Sequence, residues 1–114
     1  MAAARGDRQK AVPIKLSHRI LPTGEAVADI EGELDVATAE MAVKYVRQVI
    51  DSHHGPVNVD LTSLRFCDAR GLSALLRMSS YAEQADCPFQ LASPSPFLIK
   101  LMRITDLDRR LLAP

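Results

Sequence analysis

The sequence predicts an α/β domain with a four- to five-stranded mixed sheet and helices mainly on one face. Three observations lead there. Runs of apolar residues at period two alternate along the chain with runs at helical period, which implies crossovers and largely parallel strands. The first two period-two runs are separated only by Pro22-Thr23-Gly24, so the sheet starts with an antiparallel hairpin. The clearest run, Val57-Asn58-Val59-Asp60-Leu61, is apolar on alternate residues only, the mark of a sheet covered on one side. At 114 residues the chain holds one such domain and one core.

Residues 1–11 read as a polar, flexible tail, and 12–114 as the domain. After Pro13, the segment 14–20 alternates, with Ile14, Leu16 and Ile20 on one side, and Ala26-Val27-Ala28-Asp29-Ile30 follows as the second strand. Gly32-Glu33-Leu34-Asp35 interrupts that strand. A helix starts near Thr38, with Ala39, Val43, Val46 and Ile50 inward and Glu40, Lys44, Arg47 and Asp51 on the wet face. Glu40 and Lys44 stand in the favourable i, i+4 order. His53-His54-Gly55-Pro56 ends the helix before the strand at 57–61. A second helix spans about Arg70 to Ala85, with Leu72, Leu75, Leu76 and Ala82 inward, until Asp86-Cys87-Pro88 breaks it. Phe89-Gln90-Leu91-Ala92 is a short strand. Ser93-Pro94-Ser95-Pro96 leads into a third helix lined by Phe97, Leu98, Leu101, Met102 and Ile104, and Leu111-Leu112 caps an edge.

Composition narrows the functional classes. Lys plus Arg number 14 and Asp plus Glu number 14, so no charge excess points to nucleic acid or a membrane surface. The longest apolar stretches fall short of the ~20 residues that span a bilayer, and 1–11 lacks the apolar run of a secretion signal. Cys67 and Cys87 have no metal-ligand spacing and read as reduced thiols. Together these point to a cytoplasmic protein.

Candidate chemistry is sparse. His53 and His54 are adjacent, diverge, and have no third ligand at suitable spacing, so no metal is expected. Neither a Gly-x-x-x-x-Gly-Lys loop nor a Gly-x-Gly-x-x-Gly is present, and no cofactor is expected. Asp35 and Asp68 could pass for a catalytic pair, but no nucleophile or base accompanies them, and both stand where helix caps belong. A response-regulator receiver is excluded because no acidic pair follows the first strand and Lys100 lies in a helix. The chain is expected not to be an enzyme.

The most informative run is Val59-Asp60-Leu61-Thr62-Ser63-Leu64-Arg65-Phe66-Cys67-Asp68-Ala69-Arg70-Gly71-Leu72. A strand ends, a polar turn follows, and Asp68 occupies an N-cap position. Gly71 in the helix's first turn costs about 1 kcal/mol against Ala, which suggests that a neighbouring strand or a partner approaches its backbone closely. This run resembles the signature of STAS domains of the anti-sigma factor antagonist type, with Asp60, Leu61, Thr62, Phe66, Asp68, Gly71 and Leu72 on matching positions. Gly32-Glu33-Leu34-Asp35 matches the family's Gly-Glu-Leu-Asp element, and the order of elements agrees over about 12–112.

The resemblance implies a STAS-like fold, a bacterial protein of transcription regulation, and a protein partner. In the family, a serine after the motif Asp is phosphorylated by an anti-sigma kinase. The unphosphorylated form binds that kinase and the phosphorylated form releases it, since phosphate adds about −1.5 to −2 of charge at the contact surface. Here Ala69 occupies the serine's position and Arg70 replaces the next small polar residue, so the usual phospho-acceptor is degenerate. The resemblance places partner contacts at Gly32, Glu33, Asp35, Asp68, Ala69, Arg70, Gly71, Leu72 and Ser73. It implies an anti-sigma factor or serine kinase as partner, with a homodimer left open, while the composition points to no nucleic acid and no direct membrane insertion. Thr62, Ser63 and Ser73 are the replacement hydroxyls. The alternative is a lone STAS subunit of a larger assembly, a lipid ABC transporter or a stress-sensing complex.

Overall fold

The computed structural model describes residues 14–112, so the expected tail at 1–11 lies outside the described residues. The chain runs β1 (Ile14–Ile20), β2 (Ala26–Leu34), α1 (Ala39–Ser52), β3 (Val57–Asp60), β4 (Leu64–Cys67), α2 (Ala69–Gln84), β5 (Phe89–Ala92), α3 (Pro96–Ile104) and α4 (Asp108–Leu111). The mixed sheet has the order β1-β2-β3-β5, with β4 also paired to β2. β1 and β2 pair antiparallel from Ile14↔Gly32 to Ile20↔Ala26, around a turn in which Gly24 has φ +96°.

Strand β2 organises the sheet. Its first half, Ala26–Asp29, pairs parallel with β3, and its last residues, Gly32–Leu34, pair parallel with β4. A register shift falls between Gly32 and Glu33, and Gly32 has φ +112°, a conformation that favours glycine. The expected interruption at 32–35 is therefore a bulge within a continuing strand. It turns the end of β2 away from β3 toward β4, a strand that the sequence pattern does not predict.

Ala26, Ala28, Ile30, Gly32 and Leu34 of β2 all face inward and are buried, joined in the core by Val43 and Val46 of α1 and Leu72, Leu75 and Met78 of α2. The alternate sheet residues carry the polar face. There Arg19 donates to Asp29 at 2.6 Å and Asn58 to Glu25 at 2.6 Å. Helices thus cover mainly one face, as the alternation in β3 predicts. Ile20, at the strand end, is exposed rather than inward.

Asp60, on that polar face, accepts from the Thr62 hydroxyl at 2.6 Å and the Thr62 backbone N–H at 2.9 Å. Burial alone raises the Asp60 carboxyl. The two Thr62 bonds, the Arg19 charge and a bond with Asp29 outweigh it and hold the pKa below the usual aspartate value. A pKa depressed by folding contributes stability above the unfolded-state pKa, lost as pH falls through the folded one. Urea midpoints should therefore fall below about pH 4, and Thr62→Ala should show a smaller fall over that window than the wild type. An equal acid-side loss in both chains would remove Thr62 from this account.

Helix ends follow local chemistry. Ser95 Oγ accepts from the Leu98 N–H at 3.1 Å with Pro96 in the first turn of α3. Both α2 and α3 stop on an Asp in the left-handed region, Asp86 (φ 54°) and Asp106 (φ 63°). In each, the next N–H donates back to the carbonyl of the residue five before it, Cys87 to Ala82 and Leu107 to Met102, both at 2.8 Å. In α3 only Leu98 and Met102 are buried, whereas Phe97 and Ile104 are 66% and 71% exposed. They stand ~100° or more round the helix from Leu98 and Met102, outside the buried stripe. Leu111 is buried in α4. Glu40 pairs not with Lys44 but with Arg77 of α2, through two bonds of 2.8 and 3.1 Å.

Candidate functional site

The two sequence motifs meet at the start of α2. Glu33↔Phe66 and Leu34↔Cys67 are partners in the β2–β4 ladder, and the Asp68 N–H donates to the Leu34 carbonyl at 3.4 Å. Asp68 Oδ1 then accepts from the Gly71 N–H at 3.0 Å, the expected N-cap. Asp68→Ala should cost about 1 kcal/mol, read as a drop in urea midpoint, and Asp68→Asn much less. Equal losses in the two variants would discard the cap.

Gly71 explains its own presence. A Cβ there would stand 2.2 Å from the Leu34 carbonyl oxygen and 2.8 Å from Cys67 Sγ. The close approach that the sequence suggests is thus made by the neighbouring strand. It locks the first turn of α2 against the end of β2.

A second capping arrangement holds the adjoining segment. Asp35 Oδ1 accepts from the Ala37 and Thr38 N–H groups at 2.9 and 3.2 Å. The Thr38 hydroxyl donates to the Glu33 carbonyl at 2.8 Å and accepts from the Asp35 N–H at 3.0 Å, so the buried Thr38 is satisfied. Asp68 is thus the N-cap of α2, whereas Asp35 closes the turn 35–38 ahead of α1, whose N-cap residue is Thr38.

The residues expected at the partner surface divide by burial. Glu33, Ala69, Arg70 and Ser73 are exposed, Asp35 and Asp68 are half-buried, and Gly32, Gly71 and Leu72 are buried. Val36 and Phe66, outside that set, are 66% and 47% exposed and stand directly after Asp35 and before Cys67. Exposed large apolar side chains cannot be told from core ones by local pattern. Phe66 and Phe97 also border a groove of about 240 Å³ between β4 and α3, walled by Leu61, Leu64 and Leu98.

The other candidates stay apart from this region. His53 Nε2 lies 2.8 Å from the Gly24 carbonyl, at the opposite end of β2. Among the described residues no group of three or more His, Cys, Asp or Glu could hold a metal. Cys67 and Cys87 are free thiols, and burial pushes the Cys67 pKa up to about 12. Among the described residues no helix is long and apolar enough to cross a membrane.

A family model described as Mlab, STAS domain matches residues 21–113. The chain belongs to the STAS-domain family. No curated protein is significantly similar to it in sequence. Among solved structures, this STAS domain is similar to an anti-sigma factor antagonist from Mycobacterium paratuberculosis, with TM-score 0.73 and 22% identity over 89% of this chain and 86% of that one. It is similar to the anti-sigma factor antagonist SpoIIAA in its unphosphorylated form, at TM-score 0.68 and 19% identity over 86% of each chain. A sulfate transporter family protein from Wolinella succinogenes gives TM-score 0.68 and 20% identity over 82% of this chain and 75% of that one. The STAS fold is thus common to antagonists and to transporter proteins, and this chain has it.

Proposed function

We propose that the chain is a non-enzymatic regulatory binding module of the anti-sigma factor antagonist type, acting in the bacterial cytoplasm on an anti-sigma, kinase-like partner. The contact surface is the start of α2 with the end of β2 beside it. One observation carries this reading. Ala69 is exposed as the first residue of α2, on a turn held rigid by the Asp68 cap and the Gly71–Leu34 contact. Arg70 beside it and Glu33 and Val36 at the adjoining end of β2 are exposed, while Gly32, Gly71 and Leu72 are buried.

A site with alanine here is small, uncharged and unable to take phosphate, which matches the binding-competent form of a switchable relative. The module therefore binds constitutively or answers to another input. Ala69→Glu is the direct test. A carboxylate at a helix start favours the fold by about 0.3–1 kcal/mol, so any loss of binding is not loss of folding. We expect a partner recovered with the wild-type chain from its native cells and identified as a kinase, with affinity for Ala69→Glu reduced roughly tenfold or more. The partner should also phosphorylate Ala69→Ser and not the wild type at that position. Unchanged affinity in Ala69→Glu would remove this surface from the contact.

The second reading is a lone STAS subunit of a larger assembly, such as a lipid ABC transporter or a stress-sensing complex. The match to a transporter family protein supports it. A permease and an ATPase recovered together, with no kinase, would select it.

A further inference from the structure

We propose that Ser73 is a phosphorylation site and that Arg70 and Arg77 receive its phosphate. Its regulatory consequence rests on the docking reading above, because Ser73 lies on the same surface. Three hydroxyls are near Ala69 in sequence, and their surroundings separate them. The Thr62 hydroxyl is committed to Asp60 at 2.6 Å. Ser63 sits in the turn between β3 and β4, off the face of α2, with its carbonyl accepting from the Gly32 N–H at 3.1 Å.

Ser73 differs from both. It is exposed, and among the described residues its hydroxyl makes no hydrogen bond. It stands four residues after Ala69, so the two share one face of α2, a single turn apart. Arg70 precedes it by three residues and Arg77 follows it by four, both exposed and both its neighbours on the helix surface. Ser73 and Arg77 also line a groove of about 430 Å³ between α1 and α2, with Arg47 on its wall. A phosphoryl group on Ser73 would therefore meet guanidinium groups on two sides.

The acceptor step needs a nucleoside triphosphate held by a protein kinase. The Ser73 hydroxyl oxygen attacks the γ-phosphorus and forms an O–P bond. The bond from that phosphorus to the β–γ bridging oxygen breaks, the nucleoside diphosphate leaves, and the hydroxyl proton passes to a base of the kinase.

The consequence follows from the clasp between the helices. Arg77 is held by both oxygens of Glu40 across the α1–α2 contact. A phosphoserine carries about −1.5 to −2 of charge and three acceptor oxygens, more than a single carboxylate offers. It draws Arg77 from Glu40, and the face beside Ala69 becomes acidic. The charge missing at Ala69 is thereby supplied one turn further along.

Trypsin cuts after Arg70 and Arg77, and the peptide Gly71–Arg77 contains Ser73 as its sole hydroxyl. Mass spectrometry of the chain isolated from growing, starved and stressed native cells should find this peptide carrying a phosphoryl group, with none in Ser73→Ala. Recovery of the unmodified peptide alone in every condition overturns the site. Phosphoserine installed at position 73 should move the Arg70 and Arg77 side-chain Nε–H resonances, and unmoved resonances overturn the receivers. The same chain should bind the co-purified partner roughly tenfold more weakly than the unmodified chain; equal binding of the two overturns the regulatory role. If Ala69→Glu abolishes binding and Ser73 is never modified, the docking reading stands and this one falls. If Ser73 is modified and Ala69→Glu binds normally, the phosphorylation site stands, and the docking reading falls together with the regulatory role.

Discussion

Gly71→Ala is expected to destabilise the domain by roughly 3 kcal/mol, at the upper end for overpacking. The added methyl would overlap the Leu34 carbonyl oxygen at 2.2 Å and Cys67 Sγ at 2.8 Å. The carbonyl oxygen, and its carbon at 2.9 Å, are backbone held in the β2–β4 ladder and cannot swing aside. Either α2 lifts off β2 at its first turn or the β2–β4 ladder shifts. Helix propensity works the other way, since Ala favours a helix over Gly by about 1 kcal/mol, but this gain is smaller than the clash. Urea denaturation reads the result as a lower midpoint with an unchanged slope. Ser73→Ala, two residues on and exposed, is the control and should stay within about 0.5 kcal/mol of wild type. If both substitutions behave alike, the close approach is not what demands glycine.

Leu34→Ala should lose about 2–5 kcal/mol through the cavity it leaves. Leu34 is fully buried at the point where β2 has left β3 for β4 and α2 begins. Its side chain fills the core, and its backbone carbonyl receives the Asp68 N–H. Truncation thus weakens the support of the Ala69 surface from below without touching any exposed atom of it. Leu34→Met, close in volume, should cost less than about 1.5 kcal/mol. Thermal unfolding of the two variants distinguishes volume from register, because a loss of similar size in Leu34→Met would point to strain in the ladder rather than to a cavity.

Both predictions depend on one contact, and its two halves were unequally legible. The helix start at Asp68 could be read locally, because an N-cap is made by a side chain and N–H groups within three residues of it. The need for a small residue at 71 was also legible, as a helix-weakening glycine that nothing local excuses. Whether a strand or a partner approached it was not, since Leu34 is far away in sequence. Strand β4 escaped notice for a related reason. Its residues Leu64 to Cys67 show no clean alternation, because Phe66 is exposed where a two-sided core would bury it. Phe97 and Ile104 erred in the opposite direction, apolar residues at near-helical spacing that the packing leaves outside.

Charge pairs show the same division. Glu40 and Lys44 have the spacing of an intrahelical pair, yet Arg77 from α2 takes the carboxylate with two hydrogen bonds. Spacing along one helix says which side chains can meet. It does not say which cation from another helix arrives with a better fork.

From the sequence alone, the order of the elements other than β4, the one-sided sheet, the Asp68 cap and the missing hydroxyl at Ala69 could be determined. Each is a property of residue type and short-range period. The tertiary structure decided that Gly32 bends a continuing strand, that β4 extends the sheet beside it, and that Gly71 yields to Leu34. These depend on which distant segments come together, and hydrophobic burial brings them together without leaving a local period to read.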